Sequence, residues 1–154
     1  MAYQNRYQKG SKFKIEPEIE AALILAPIAI AAGMVGFFID GDVAIIPFIV
    51  RFIIYITAGY LAASRFHKRS GFKPNRRVFD QMPLTGLRGG LYAALLAWLV
   101  LVIFLVIAEF ADINTETGIL GGLLSALLDA IAGLLLGVFG GWAYSKLNRP
   151  KYLR

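Results

Sequence analysis

Four apolar runs set the terms for this chain: Ala21 to Ile39, Val43 to Ser64, Leu91 to Phe110 and Ile119 to Tyr144. Each is close to the ~20 residues that a helix needs to cross a hydrocarbon layer ~30 Å thick. Hydrophobic residues make up 58% of the chain, well above the roughly 45 to 50% of a soluble domain. The expected fold class is therefore all-α, a polytopic membrane protein. Its four transmembrane helices would form two antiparallel hairpins in one four-helix bundle. The 154 residues leave room for a single domain.

The segments divide accordingly. Residues 1–20 form a polar tail, 21–64 a first transmembrane hairpin (21–39 and 43–64), and 65–90 a basic loop. Residues 91–144 form a second hairpin (91–110 and 119–144), and 145–154 a basic C-terminal tail. Asp40-Gly41-Asp42 reads as a tight turn with a helix N-cap behind it, and Asp112 to Gly118 joins the second pair. Gly86-Leu87-Arg88-Gly89-Gly90 reads as a flexible lead-in to the third span. Pro17 among three glutamates suits a first helical turn, and Pro27 and Pro47 are candidate kinks. With no small-residue cleavage site behind it, the first span is expected to be a retained signal anchor.

Charge gives the orientation. Lys and Arg fall in the N-terminal tail, in the central segment (Arg65, Lys68, Arg69, Lys73, Arg76, Arg77, Arg88) and in the C-terminal tail (Lys146, Arg149, Lys151, Arg154). The two hairpin tips have none and carry Asp40, Asp42, Asp112 and Glu116 instead. Bases stay on the cytoplasmic side, so both termini and the central loop are expected there, with a prokaryotic plasma membrane as the expected compartment. Arg65, Lys68, Arg69, Lys73, Arg76 and Arg77 are the expected contacts for anionic lipid headgroups. Topology alone explains a basic loop beside a membrane, so nucleic acid is not an expected partner.

Two ridges of small residues mark packing faces, because helices in lipid associate through close backbone approach. One is Ala22, Ala26, Ala29, Gly33 and Gly36 in the first span; the other is Gly133, Gly137 and Gly141 in the fourth. The simplest bundle puts these two spans side by side, with a ridge to spare for a second copy or a larger membrane complex. The aliphatic run Leu99 to Ile107 is expected to face lipid. A weak repeat links the ends of the second and fourth spans, Gly59-Tyr60-Leu61-Ala62-Ala63-Ser64-Arg65 and Gly140-Gly141-Trp142-Ala143-Tyr144-Ser145-Lys146.

Arg51 and Asp129 stand out, since a charge at a helix centre costs about 2.5–3.5 kcal/mol on insertion. They lie at matching depth on spans that run in the same direction, so they are expected to pair. Tyr55, one turn along, and Ser125, one turn outward of Asp129, are candidate polar supports.

The chain has no cysteine and a single histidine, His67. Disulfides, thiolate metal sites and a bis-histidine haem within one chain are thereby excluded. No cofactor and no metal site is expected. The functional expectation is a non-enzymatic accessory, assembly or scaffold subunit that works through helix packing. The alternative is an oligomeric ion or small-solute channel or transporter that uses Arg51 and Asp129.

Overall fold

The computed structural model describes residues 15–36, 38–39, 45–71, 75–111 and 118–150. These hold four helices, α1 (Pro17–Gly36), α2 (Ile45–Arg69), α3 (Arg76–Phe110) and α4 (Gly118–Asn148), and no strand. Each contains an 18-residue window of mean hydropathy between 1.9 and 2.9, long and apolar enough to cross a membrane. An all-helical chain of this kind is suggested to be an integral membrane protein. The turn at Asp40 to Asp42, the link from Asp112 to Thr117, Lys73, the tail up to Lys14, Lys151 and Arg154 lie outside the described residues.

Local chemistry explains the helix ends. Pro17 opens α1, and the Glu20 N–H donates to the Glu16 carbonyl at 2.9 Å. Pro47 falls in the first turn of α2, where a missing N–H breaks no helical bond, so the kink expected there has no cause. At the other end the Ser70 N–H returns to the Phe66 carbonyl at 2.9 Å, and Gly71 takes a φ of 71°, a left-handed conformation that stops the helix.

α3 departs most from expectation. The stretch read as the second half of a loop is helical from Arg76 onward, continuous with the third span. Asn75 caps it, its side-chain oxygen accepting from the Arg77 N–H at 3.0 Å. With 35 residues α3 is ~52 Å long at 1.5 Å per residue, well beyond a bilayer core. Gly86, Gly89 and Gly90 are not a flexible lead-in but buried contact points. Each costs the helix about 1 kcal/mol of propensity, and the neighbouring backbones they admit decide the outcome.

Gly89 meets Ala58 and Ala62 of α2, and the neighbours of Gly86 and Gly90 are on α4. Met82, Gly86, Gly90 and Ala94 of α3 run at steps of four against Gly141, Gly137 and Gly133 of α4. A β-carbon on Gly137 would stand 2.5 Å from the Gly86 carbonyl oxygen and 2.9 Å from the Gly90 Cα. Only glycine allows that approach. On its other side α4 meets α2, where Gly59 faces Gly137 and Gly140 faces the Ile56 carbonyl. α1 packs on α2 and α3. The expected contact of α1 with α4 is therefore corrected: they occupy opposite corners, because the partners of the α4 glycines are the α3 glycines that a loop reading concealed.

The α1 ridge is used internally as well. Ala22, Ala26, Ala29 and Gly33 are buried, Gly33 receives the Leu101 side chain, and the half-buried Gly36 lies against Pro47. Leu101 and Leu105 thus face α1, while Leu99, Ile103 and Ile107 of the same run point outward.

A second core sits at the basic end, where Phe79, Met82, Ala63 and Tyr144 pack with Phe66 and Val78. Pro83 within α3 cannot bond the Phe79 carbonyl one turn back, and the buried Ser145 hydroxyl of α4 donates to that carbonyl at 3.1 Å instead.

Two predictions follow from these contacts, both checked by thermal unfolding in mild detergent. Gly90→Val forces α3 from α4 and costs at least about 1–3 kcal/mol, whereas Gly71→Asn, with nothing within 4 Å of its β-carbon, costs about 1 kcal/mol or less, the strain of a short polar side chain at a φ of 71°. Ser145→Ala strands the Phe79 carbonyl and costs about 1–3 kcal/mol. In a Pro83→Ala background, where an amide again closes the turn, the same substitution costs under about 0.5 kcal/mol.

Candidate functional site

Arg51 reaches inward from the second turn of α2, and Asp129 from the first half of α4. The Arg51 Nη1 donates to Asp129 Oδ2 in a salt bridge with both residues 5% exposed. The helix register produces this meeting. An offset of 78 residues separates the pair, and the same offset separates Gly59 from Gly137, whose backbones touch. Two turns along two helices running in the same direction lead from the glycine contact to the charges. The Phe48 ring lies 4.6 Å from the Arg51 guanidinium carbon and adds a cation–π contact.

Tyr55 is fully buried one turn from Arg51. Its hydroxyl has no hydrogen-bond partner among the described residues, and neither does Arg51 Nε, so the bond expected from Tyr55 to the pair is not made. Ser125 is half-buried on α4, one turn before Asp129.

The pair is electrically closed. A single carboxylate faces a single guanidinium, and removing either charge would leave the other buried without compensation. Among the described residues no group of three or more His, Asp or Glu could hold a metal ion.

A second set of polar contacts gathers at the basic end. Glu20 of α1 binds Arg65, and binds Arg69 at 2.8 Å; Arg69 also donates to the Ile15 carbonyl. Asp80 of α3 binds Arg149, and Arg76 lies 3.8 Å away. Arg88 of α3 stands 4.0 Å from Glu18. His67 is buried beside Phe79, with its Nδ1 3.1 Å from the Tyr144 hydroxyl.

The residues expected to meet lipid headgroups therefore separate into two kinds. Arg65, Arg69 and Arg76 hold carboxylates of their own chain, while Lys68 and Arg77 are exposed. Sequence reasoning missed the acidic partners because Glu18 and Glu20 read as helix-dipole residues. A periodic signal was present, since Arg65 and Arg69 are one turn apart and present two bases to one carboxylate.

Asp129→Asn is expected to lower thermal stability in detergent by about 3–5 kcal/mol, because Arg51 stays charged and buried. The exchange of Arg51→Asp with Asp129→Arg recovers part of that loss. Glu20→Gln, at a partly exposed clamp, costs no more than about 1 kcal/mol, and less at high salt. Comparison of the chain with protein-family models, with curated proteins and with solved structures finds no match in any of the three.

Proposed function

We propose that this chain is a multi-pass membrane protein whose four spans cross as two antiparallel hairpins, with both termini and the α2 to α3 connection in the cytoplasm. Its role in this reading is that of a non-enzymatic accessory or assembly subunit, a rigid helical body that joins a larger membrane complex or a second copy of itself.

The observation that carries this reading is how the interior is used. Between α3 and α4, and between α2 and α4, backbones meet at glycines. The remaining core at that depth is mostly alanine, and the buried ion pair of Arg51 with Asp129 neutralises itself. Among the described residues such an interior has little room for a solvated path. Both small-residue ridges are spent inside the chain, so a partner would meet the outer aliphatic faces, such as Leu124, Leu127, Leu128 and Leu135 of α4.

The orientation rests on the placement of bases. Arg65, Arg69, Arg76, Arg88 and Arg149 all gather at the end where α1 begins and α4 finishes. That end carries the cytoplasmic signature.

Light scattering or native mass spectrometry in nanodiscs tests the role. The expected result is a defined assembly heavier than the 16.9 kDa chain; a lone monomer under all mild conditions overturns it. Liposomes containing the chain are expected to show no ion flux. Flux that Asp129→Ala abolishes with assembly intact would establish the transport alternative instead.

A further inference from the structure

An open groove of about 520 Å³ runs between α1 and α3 on the outside of the bundle. Ile19 and Ala22 form one wall, Tyr92, Leu95 and Leu99 the other, and Trp98 also lines it, so its surface is almost wholly apolar. It begins at the basic end. Ile19 lies in the first turn of α1, and Arg88 precedes Tyr92 by one turn on the same face of α3. We propose that this groove seats an acyl chain of an anionic phospholipid whose phosphate is held by Arg88.

The proposal rests on the membrane reading above and adds a selected lipid class to it. Once the helices cross a bilayer, the groove opens on hydrocarbon, so acyl chains are the occupants at hand. Its aliphatic and aromatic lining matches the chemistry of an acyl chain. Selection then depends on what stands at the mouth.

Arg88 is suited to that task. Its side chain is 53% exposed, and Glu18, 4.0 Å away, is at the limit of an ion pair. The Glu18 carboxylate is tucked inward, its side chain 9% exposed, so the open side of the guanidinium faces the headgroup layer. A planar guanidinium offers paired donors to a phosphate. Arg65, Arg69 and Arg149 are instead committed to Glu20 and Asp80.

The chain supplies its own reporter. It has two tryptophans, so Trp142→Phe leaves Trp98, in the groove wall, as the only one. This full-length variant is placed in phosphatidylcholine nanodiscs doped with small amounts of lipid brominated along its acyl chains. The dopant is either phosphatidylglycerol or phosphatidylcholine, and the readout is quenching of Trp98 fluorescence.

The expected result is saturable quenching by the brominated phosphatidylglycerol at about fivefold lower mole fraction than by the brominated phosphatidylcholine, the preference that one base near the surface provides. Adding Arg88→Gln removes that difference, and adding Arg77→Gln, an exposed base of the same end, preserves it. Equal quenching by the two dopants overturns the proposal without recourse to any Arg88 variant, and so does a preference that survives Arg88→Gln. Absence of quenching by either dopant overturns it through the membrane reading itself, an outcome distinct from equal quenching by both.

Discussion

The closeness of α3 and α4 is the constraint on which the other contacts depend. Gly86 and Gly90 lie against Gly133, Gly137 and Gly141 with backbone atoms in contact, so the two helices approach nearer than any side chain permits. Glycine is a poor helix former, costing about 1 kcal/mol per residue relative to alanine. The loss is offset only when many such residues act together, because close approach brings extended dispersion contact and carbonyls within reach of Cα–H groups. Spacing at steps of four on both helices interleaves Gly86 and Gly90 with Gly133, Gly137 and Gly141, and Met82 and Ala94 complete the row. A change at one position disturbs them all.

That same spacing leads to the ion pair. Gly137 touches α3 on one side and Gly59 of α2 on the other, so it pins three helices at one level. With α2 and α4 locked there, Arg51 and Asp129 lie side by side two turns away. The pair is thus a consequence of the glycine register and a check on it. A slip by one residue would rotate each charge ~100° about its helix and bury both without a partner, at several kcal/mol. Glycine contacts provide proximity without much directional preference, whereas two opposite charges in an apolar interior tolerate a single alignment.

Much of this was legible in the sequence, and the failures have a common origin. The four apolar runs and the sorting of bases from acids are long-range averages that survive errors at single residues. Arg51 and Asp129 were visible as a pair because hydropathy rejects both and depth matches them. The helical start of α3 was missed because glycine punctuates most soluble sequences, and Gly86, Gly89 and Gly90 fit a loop when only local propensity is weighed. Read as a small-residue motif of spacing four, Gly86, Gly90 and Ala94 would have extended the third span inward and supplied the α4 ridge with its partner. The placement of α1 against α4 followed from that omission. Asn75 after Pro74 was a helix-start signal in plain view. Ser145 could not have been matched to Phe79 from sequence, since the carbonyl freed by Pro83 has no letter of its own.

The kind of residue buried changes along the length of the bundle. At the depth of Ala29, Ala58, Ala93 and Ala97 the interior is built from alanine and glycine. At the basic end it is built from Phe79, Met82 and Tyr144. In hydrocarbon a large apolar side chain gains little by turning inward, since lipid tails are as apolar as the core, and small residues that let backbones meet are favoured. In water a buried Phe or Met contributes about 1.5–3 kcal/mol, and large residues turn inward. In the membrane reading proposed above, the two cores would face two different solvents. The last turns of α2 and α4 and the first turns of α3 share their own hydrophobic centre and their own salt bridges, continuous with the longer apolar stretches. Large residues depart from the pattern at Ile54, Leu101 and Leu105, and Tyr55 lies fully buried beside the ion pair. Its hydroxyl places a third polar group next to Arg51 and Asp129, and makes that centre the most polar point of the apolar interior.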